Sequence, residues 1–439
     1  MNKKTSSLLL IFALLGCQSQ SQVSYAQTTR AKPRPRAPRI SHIPATQTDV
    51  STGLPVPGVY LNSEGSPLLP ILGYDKLKTL DIEIYTMGDP NVRSLLRAAL
   101  DRKVKIRIVK EPKPLGETCD TFGTTSADAD CADQQKLVKD IQDAGGSFVP
   151  YNKQALCPNG GGKGGTSCYE HGKIAIANNS IALISTGNFD SSNLCQDSGT
   201  QKTCNRDFSL IVNDAVIVKT LENIFSRDLA GQSYDLSQEI DPSLKSILTV
   251  SPLSMTPIVD FINTAKDSID LEAQYLNEPD INAALIDRAK KGVKVSITTA
   301  SVCAFGKPVP SEALKTTNSY QTFEAAGISA AMFNASNKVN GRNGYMHAKV
   351  IVVDGVRAWL GSENGSTTSL TQNREYGLIF DTPASVKKIL TVAQADHNSP
   401  NSETWQQSLN CEKDHASSSG PTQSPITRRP PKAPKPPKQ

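Results

Sequence analysis

Apolar and polar positions along this chain of 439 residues follow one pattern that is written twice. Leu80-Asp81-Ile82-Glu83 alternates with a period of two, as a strand in a sheet does. Pro90 then opens a stretch with apolar residues at Val92 and Leu96. It predicts a helix of about a dozen residues with proline in the first turn, where the missing N–H is harmless. Val104-Lys105-Ile106 begins a second apolar strand. The same signals return 189 residues later, without a gap, as Ile269-Asp270-Leu271-Glu272, Pro279, Ile281, Leu285 and Val293-Lys294-Val295. A strand–helix–strand unit in each half predicts two pseudo-symmetric α/β lobes, each a mixed sheet flanked by helices. Their expected bounds are 55–240 and 245–411, because the polar Gln238-Glu239-Ile240-Asp241-Pro242 interrupts the pattern between them.

Each half closes with a hairpin. In the second, residues 350–353 are an apolar strand, Asp354-Gly355 suits a two-residue turn, and 356–360 return. In the first, residues 173–177 are the strand, Asn178-Asn179 the turn, and 180–184 the return. Polar residues bracket both hairpins at matched spacing. His171-Gly172-Lys173 leads the first and His347-Ala348-Lys349 the second. Asn188 and Asn364 each follow their histidine by 17 residues, and Thr186 and Ser362 each follow by 15. Asn205-Arg206-Asp207 and Asn373-Arg374-Glu375 come next. Glu375 lies 28 residues after His347, whereas Asp207 lies 36 after His171. The extra eight residues fall in a stretch bracketed by Cys195 and Cys204.

One His-x-Lys arises readily by chance; two, inside duplicated halves with Ser/Thr and Asn at equal offsets, do not. On these residues the chain, over roughly 60–400, resembles the phospholipase D superfamily, whose members carry His-x-Lys followed by Asp twice. The resemblance implies two phospholipase D-like lobes sharing one site, so that a monomer is complete. It implies that one histidine attacks phosphorus to form a phosphohistidine, while the other protonates the leaving oxygen and then activates water or an alcohol. The attack is assigned to His171 and the acid role to His347. Lys173 and Lys349 supply cations at the phosphoryl oxygens, with Asn188 and Asn364 as neutral donors. Glu375 and Asp207 each orient a histidine, Asp354 completes the second motif, and Thr186 and Ser362 contact substrate. No metal or cofactor is implied. The first motif departs from the pattern at Asn178, where aspartate is expected. Asparagine tolerates a left-handed turn as aspartate does, but a carboxylate that helps orient the site would be missing.

Charge changes the picture at the ends. The formal charge is +5, yet Lys3, Lys4, Arg30, Lys32, Arg34, Arg36 and Arg39 at one end and Arg428, Arg429, Lys432, Lys435 and Lys438 at the other more than account for it. The body between is acidic, which argues against a general nucleic-acid sponge. Residues 17–50 and 416–439 are rich in Pro and basic residues and poor in apolar ones, and read as extended tethers able to contact anionic polymers. Residues 1–16 have the cationic and apolar regions of an export signal. Leu14-Leu15-Gly16-Cys17 resembles a bacterial lipoprotein signal, with Cys17 lipidated and the protein held at the outer membrane or in the periplasm. Cleavage after Ala26, giving a secreted protein, is the other reading.

The remaining cysteines suit an oxidising compartment. Cys119 with Cys131, Cys157 with Cys168 and Cys195 with Cys204 bracket short polar loops, which leaves Cys303 with Cys411. The Gly-rich run at 159–165 lacks the Ser/Thr after lysine that a phosphate-cradling loop requires and reads as a rim of the cleft. Residues 67–72 are either core or an interfacial patch. Three substrate readings stand: a phospholipid hydrolase or transphosphatidylase at a membrane surface, an exported nuclease, and a degenerate phosphodiester-binding lipoprotein. The aromatic content of 5% leaves few stacking platforms for single strands, which weighs against the second.

Overall fold

A computed structural model describes residues 53–123, 126–157, 168–196 and 201–411. Cys17, both tethers, the signal segment and the Gly-rich run at 159–165 lie outside the described residues. Seventeen strands follow in chain order: β1 (Gly58–Leu61), β2 (Thr79–Ile84), β3 (Lys105–Lys110), β4 (Ser147–Pro150), β5 (Lys173–Ala177), β6 (Ile181–Ser185), β7 (Thr203–Arg206), β8 (Phe208–Val212), β9 (Leu248–Ser251), β10 (Ser268–Ala273), β11 (Lys294–Ala300), β12 (Ser329–Phe333), β13 (Lys338–Val339), β14 (Arg342–Met346), β15 (Lys349–Val353), β16 (Arg357–Gly361) and β17 (Glu375–Phe380). Two seven-stranded sheets take the orders β1-β8-β6-β5-β2-β3-β4 and β9-β17-β16-β15-β10-β11-β12. The orders are equivalent, strand for strand. The repeat read from the sequence is therefore a duplicated sheet, with β2/β3 and β10/β11 parallel and the hairpin strands β5 and β15 antiparallel to β2 and β10.

The helices expected after each proline run Pro90–Asp101 and Pro279–Lys290. Asp89 caps the first by accepting from Asn91 N at 2.8 Å and Val92 N at 3.0 Å, and Glu278 caps the second from Asp280 N at 3.2 Å. Val92, Leu96 and Ala99 of one, and Ile281, Ala284 and Leu285 of the other, are buried. Residues 67–72 prove to be core: Leu68, Ile71 and Leu72 have no exposed surface.

Alternation along the hairpins sorts residues to two faces. Ile174 and Ile176 of β5 join Val350 and Val352 of β15 in one core shared by both lobes. Ala175 and Ala177 face an outer core of the first lobe, and Ile351 and Val353 an outer core of the second. Burying an aliphatic side chain of this size contributes about 1.5–3 kcal/mol, so a one-residue slip that inverted the faces would be strongly disfavoured. The helices Ala215–Ala230 and Pro383–His397 pack into the shared core through Leu221, Phe225, Ile389 and Val392.

Among the described residues, disulfides join Cys119–Cys131, Cys157–Cys168, Cys195–Cys204 and Cys303–Cys411, the pairing expected from their spacing. Among the described residues no helix is long and apolar enough to cross a membrane.

Candidate active site

A third, small sheet stitches the lobes together where the polar residues lie. β14, which leads into His347, runs parallel to β7, which leads into Asp207, with Met346 opposite Arg206. In the other direction Glu170, just before His171, forms a parallel bridge with Arg374, just before Glu375. The backbone N–H of His347 donates to the Arg206 carbonyl at 3.2 Å, and that of His171 to the Arg374 carbonyl at 2.8 Å. Each histidine is thus laid beside the acid of the opposite lobe.

The side chains follow. His171 Nδ1 lies 2.7 Å from Glu375 Oε2, and His347 Nδ1 lies 2.9 Å from Asp207 Oδ1. Both acids cross the lobe boundary. Each carboxylate also takes one hydroxyl and one amide. Glu375 Oε1 accepts from Ser369 Oγ at 2.5 Å and Asn373 Nδ2 at 2.8 Å. Asp207 accepts from Thr186 Oγ1 at 2.7 Å and Asn193 Nδ2 at 2.8 Å. Arg206 and Arg374 anchor this arrangement from behind, each in the opposite lobe. Arg206 forms a two-pronged pair with Asp396 at 2.5 and 2.9 Å, and Arg374 one with Asp228 at 2.6 and 3.2 Å.

Lys173 and Lys349 are buried. Their ammonium groups donate to the carbonyls of His171 and His347, both at 2.6 Å, and Lys349 Nζ stands 3.3 and 3.4 Å from the two ring nitrogens of His347. Burial depresses Lys173 to about 8 and Lys349 to about 7, against the opposing pull of Glu375 on the first and Asp207 on the second. Burial, then the charge of Lys349, brings His347 down to about 4. Burial together with Lys173, Lys349 and His347 holds His171 well below the ordinary histidine range. The acids differ. Burial pushes Glu375 up to about 7. It would also raise Asp207, but His347, Lys349 and Asn193 outweigh it and the carboxyl lies below its usual range.

The side-chain oxygens of Asn188 and Asn364 are buried without a hydrogen-bond partner. The cluster therefore offers two neutral imidazoles and two lysines without a bonded carboxylate, the equipment for holding and attacking an anionic phosphorus ester. Among the described residues no group of three or more His, Cys, Asp or Glu side chains could hold a metal ion.

The profile of the family described as "cardiolipin synthase, PLD-like domain" matches residues 76–229 and again 258–396. The chain belongs to the phospholipase D superfamily. It is 28% identical over 188 residues to phospholipase D Z of Dictyostelium discoideum, a match covering 39% of this chain and 42% of that protein. It thus spans about two-fifths of the length of that curated relative. Among solved structures, phosphatidylserine synthase of Haemophilus influenzae aligns over 82% of this chain and 89% of its own, at 14% identity and a TM-score of 0.54. Nuc of Salmonella typhimurium, a phospholipase D family member, aligns over 36% of this chain and 95% of its own, at 26% identity and a TM-score of 0.30.

Against the superfamily pattern, the structure gathers His171, Lys173, His347, Lys349, Asp207 and Glu375, and places Asn188 and Asn364 just beyond the return strands beside them. It separates Asp354. That residue stands at the far end of β15, five residues past Lys349 and about 17 Å away at the rise of a strand. There its carboxylate accepts the N–H groups of Asp267 at 2.7 Å, Ser268 at 2.9 Å and Lys266 at 3.0 Å. Asn178 does the same in the first lobe, its Oδ1 accepting from Lys78 N at 2.7 Å and Thr79 N at 3.2 Å. Both turns have positive φ at both central residues, as a type I′ hairpin needs. The last motif position secures the entry of β2 and β10, and Asn178 removes no carboxylate from the site.

Thr186 and Ser362 also depart from their expected role. Both are fully buried and their hydroxyls are engaged internally. Thr186 Oγ1 donates to Asp207 and accepts from Phe208 N at 3.0 Å, and Ser362 Oγ accepts from Tyr376 N at 3.0 Å. Their hydroxyls tie the acid-bearing segments to the ends of the return strands. Asn193 and Ser369 escaped the sequence reading. Each lies five residues after its lobe's asparagine, Asn188 or Asn364, a matched offset that could have found them.

Proposed function

We propose that the protein is a metal-independent phosphodiesterase that hydrolyses or transfers phospholipid phosphodiesters through a phosphohistidine. The observation that carries this reading is the pair of crossed His–acid contacts, His171 with Glu375 and His347 with Asp207, each beside a buried lysine. Superfamily members are phosphodiesterases and transferases, and two groups able to trade one proton are what displacement at phosphorus requires. The unlike acids support the division of roles. Asp207 keeps its charge and favours an imidazolium at His347 when an anion enters, which suits the group that protonates the leaving oxygen. Glu375, pushed up to about 7, supports a proton on His171 less, and a neutral imidazole is the attacking form. The nucleophilic Nε2 of His171 forms the bond to phosphorus while the leaving oxygen departs with the proton from His347. His347, then neutral, takes a proton from water or an alcohol, whose oxygen displaces His171.

The lipid substrate is favoured by the family whose profile matches, by the phospholipase D named among the relatives, and by the lipoprotein-like start of the chain. That start, with four disulfides, also supports a place outside the cytoplasm, at the outer membrane or in the periplasm. The test is purified protein in EDTA, offered phosphatidylcholine and phosphatidylglycerol vesicles and, separately, plasmid and single-stranded DNA, beside a His347→Ala control. Vesicle lipid should turn over and the control should not. Cleavage of DNA but not lipid would replace the substrate with nucleic acid, a need for added divalent ion would remove the metal-free mechanism, and binding without turnover would leave a degenerate binding protein.

A further inference from the structure

The two acids differ by a methylene, and the donors facing them differ by the same step in the opposite sense. In the second lobe the longer Glu375 meets the short hydroxyl of Ser369 at 2.5 Å. In the first, the shorter Asp207 meets the longer amide of Asn193 at 2.8 Å. The hydroxyl oxygen of serine stands one bond nearer its Cα than the amide nitrogen of asparagine, and the carboxylate oxygens of glutamate stand one bond farther than those of aspartate. The summed reach is equal in the two lobes. Asn193 and Ser369 occupy the same place, five residues past Asn188 and Asn364, each on a short helix, Ser191–Leu194 or Thr367–Thr371.

Both donors are held by contacts other than those to the acid. The backbone carbonyl of Asn193 accepts from Asn62 Nδ2 at 3.1 Å, and the Cys195–Cys204 disulfide ties its helix to β7, the strand that delivers Asp207. Ser369 Oγ accepts from Asn364 N at 2.7 Å while donating to Glu375. Asn193 and Ser369 are buried, and Asn193 Nδ2 also lies 3.3 Å from His347 Nδ1. Together with Thr186 on Asp207 and Asn373 on Glu375, the donors fix where each carboxylate ends, and so how each imidazole is turned.

We propose that Asn193 and Ser369 are the positioning residues of the two histidines, each matched in length to its acid so that Asn with Asp and Ser with Glu are interchangeable as pairs but not singly. This rests on the reading of His347 and His171 as the reacting groups. Losing a hydrogen bond that orients a histidine through its carboxylate costs about 10–100-fold at metal-bound histidines, and a loss of the same order is expected here. Asn193→Ser leaves a gap at Asp207, and Asp207→Glu crowds Asn193.

The experiment is a swap cycle: Asn193→Ser, Asp207→Glu and the double variant, compared in kcat and KM on the substrate that the vesicle and DNA assay identifies. The histidine ring nitrogens are followed in parallel by NMR titration without substrate. Each single change should lower kcat about 10–100-fold with KM little altered and displace the His347 titration while His171 stays. The double variant should recover most of the kcat and return the His347 signal towards its original position, a coupling that independent sites do not show. Additive losses, or a His347 signal unmoved by Asn193→Ser, would overturn the proposal. The mirrored cycle, Ser369→Asn with Glu375→Asp, reads the same rule at His171 should the first set fold poorly. A wild type that turns over no substrate would remove the proposed reaction, while the histidine titrations would still decide the length rule.

Discussion

Lys173 and Lys349 are cations taken out of water and given backbone carbonyls instead of carboxylates. Their protonated forms are therefore unstable until an anion joins them. At about 8 and about 7, they should bind a dialkyl phosphate, whose own charge is constant over this range, most tightly below pH 7. Affinity should then fall by up to about tenfold per pH unit for each lysine as the pH rises through these values, which calorimetry at pH 6, 7, 8 and 9 would measure. The sign for folding is opposite. Unfolded lysines keep their protons to about 10.4, so stability falls as the pH drops from about 10.4 towards 8 for Lys173 and 7 for Lys349, and the cost is complete below those values. An affinity flat from pH 6 to 9 would mean that these lysines do not face the ligand. The lysines and histidines were legible because the reaction dictates their type and the repeat their spacing. Asn193 and Ser369 were not, because neither type signals chemistry and a hydrogen bond to another side chain leaves no periodic trace.

At the scale of the element, the hairpins show how a motif position can be misread. Asp354 shares the spacing of the motif but works on the scaffold, receiving the backbone N–H groups at the entry of β10. Asp354→Asn, which copies Asn178, should leave kcat unchanged. Asp354→Ala should lower the melting temperature by a few degrees, the loss of a turn-capping acceptor costing about 1 kcal/mol. A large fall in kcat for Asp354→Asn, with the melting temperature held, would return Asp354 to the active site. Strands β2, β10, β5 and β15 and the proline-led helices were readable from periodicity, since alternation and capping are local. The small sheet of β13, β14 and β7 was not: its parallel pairing joins segments more than a hundred residues apart, and short irregular strands carry no alternation to announce it.

Taken whole, the molecule is two copies of one lobe, each completing the other. The arginine before each acid is buried against an aspartate of the opposite lobe, a contact whose one-sided loss leaves an unpaired buried charge. Position −1 of each histidine pairs with position −1 of the opposite acid. Duplication in the sequence implied a shared site, but the exchange of acids was invisible there, because offsets within a lobe are the same whether Glu375 serves His347 or His171. The unlike acids make the two histidines unlike: His347 rests on a carboxylate that stays ionised, His171 on one pushed up to about 7. The division of labour that follows can be tested with a phosphodiester whose leaving group, a nitrophenolate, needs no proton. His347→Ala enzyme should release nitrophenolate in one burst and retain an acid-labile phosphoryl group, which mass spectrometry of the peptides should place on His171, while His171→Ala enzyme should give neither. A burst from His171→Ala enzyme, or a phosphoryl group on any residue other than His171, would contradict the account.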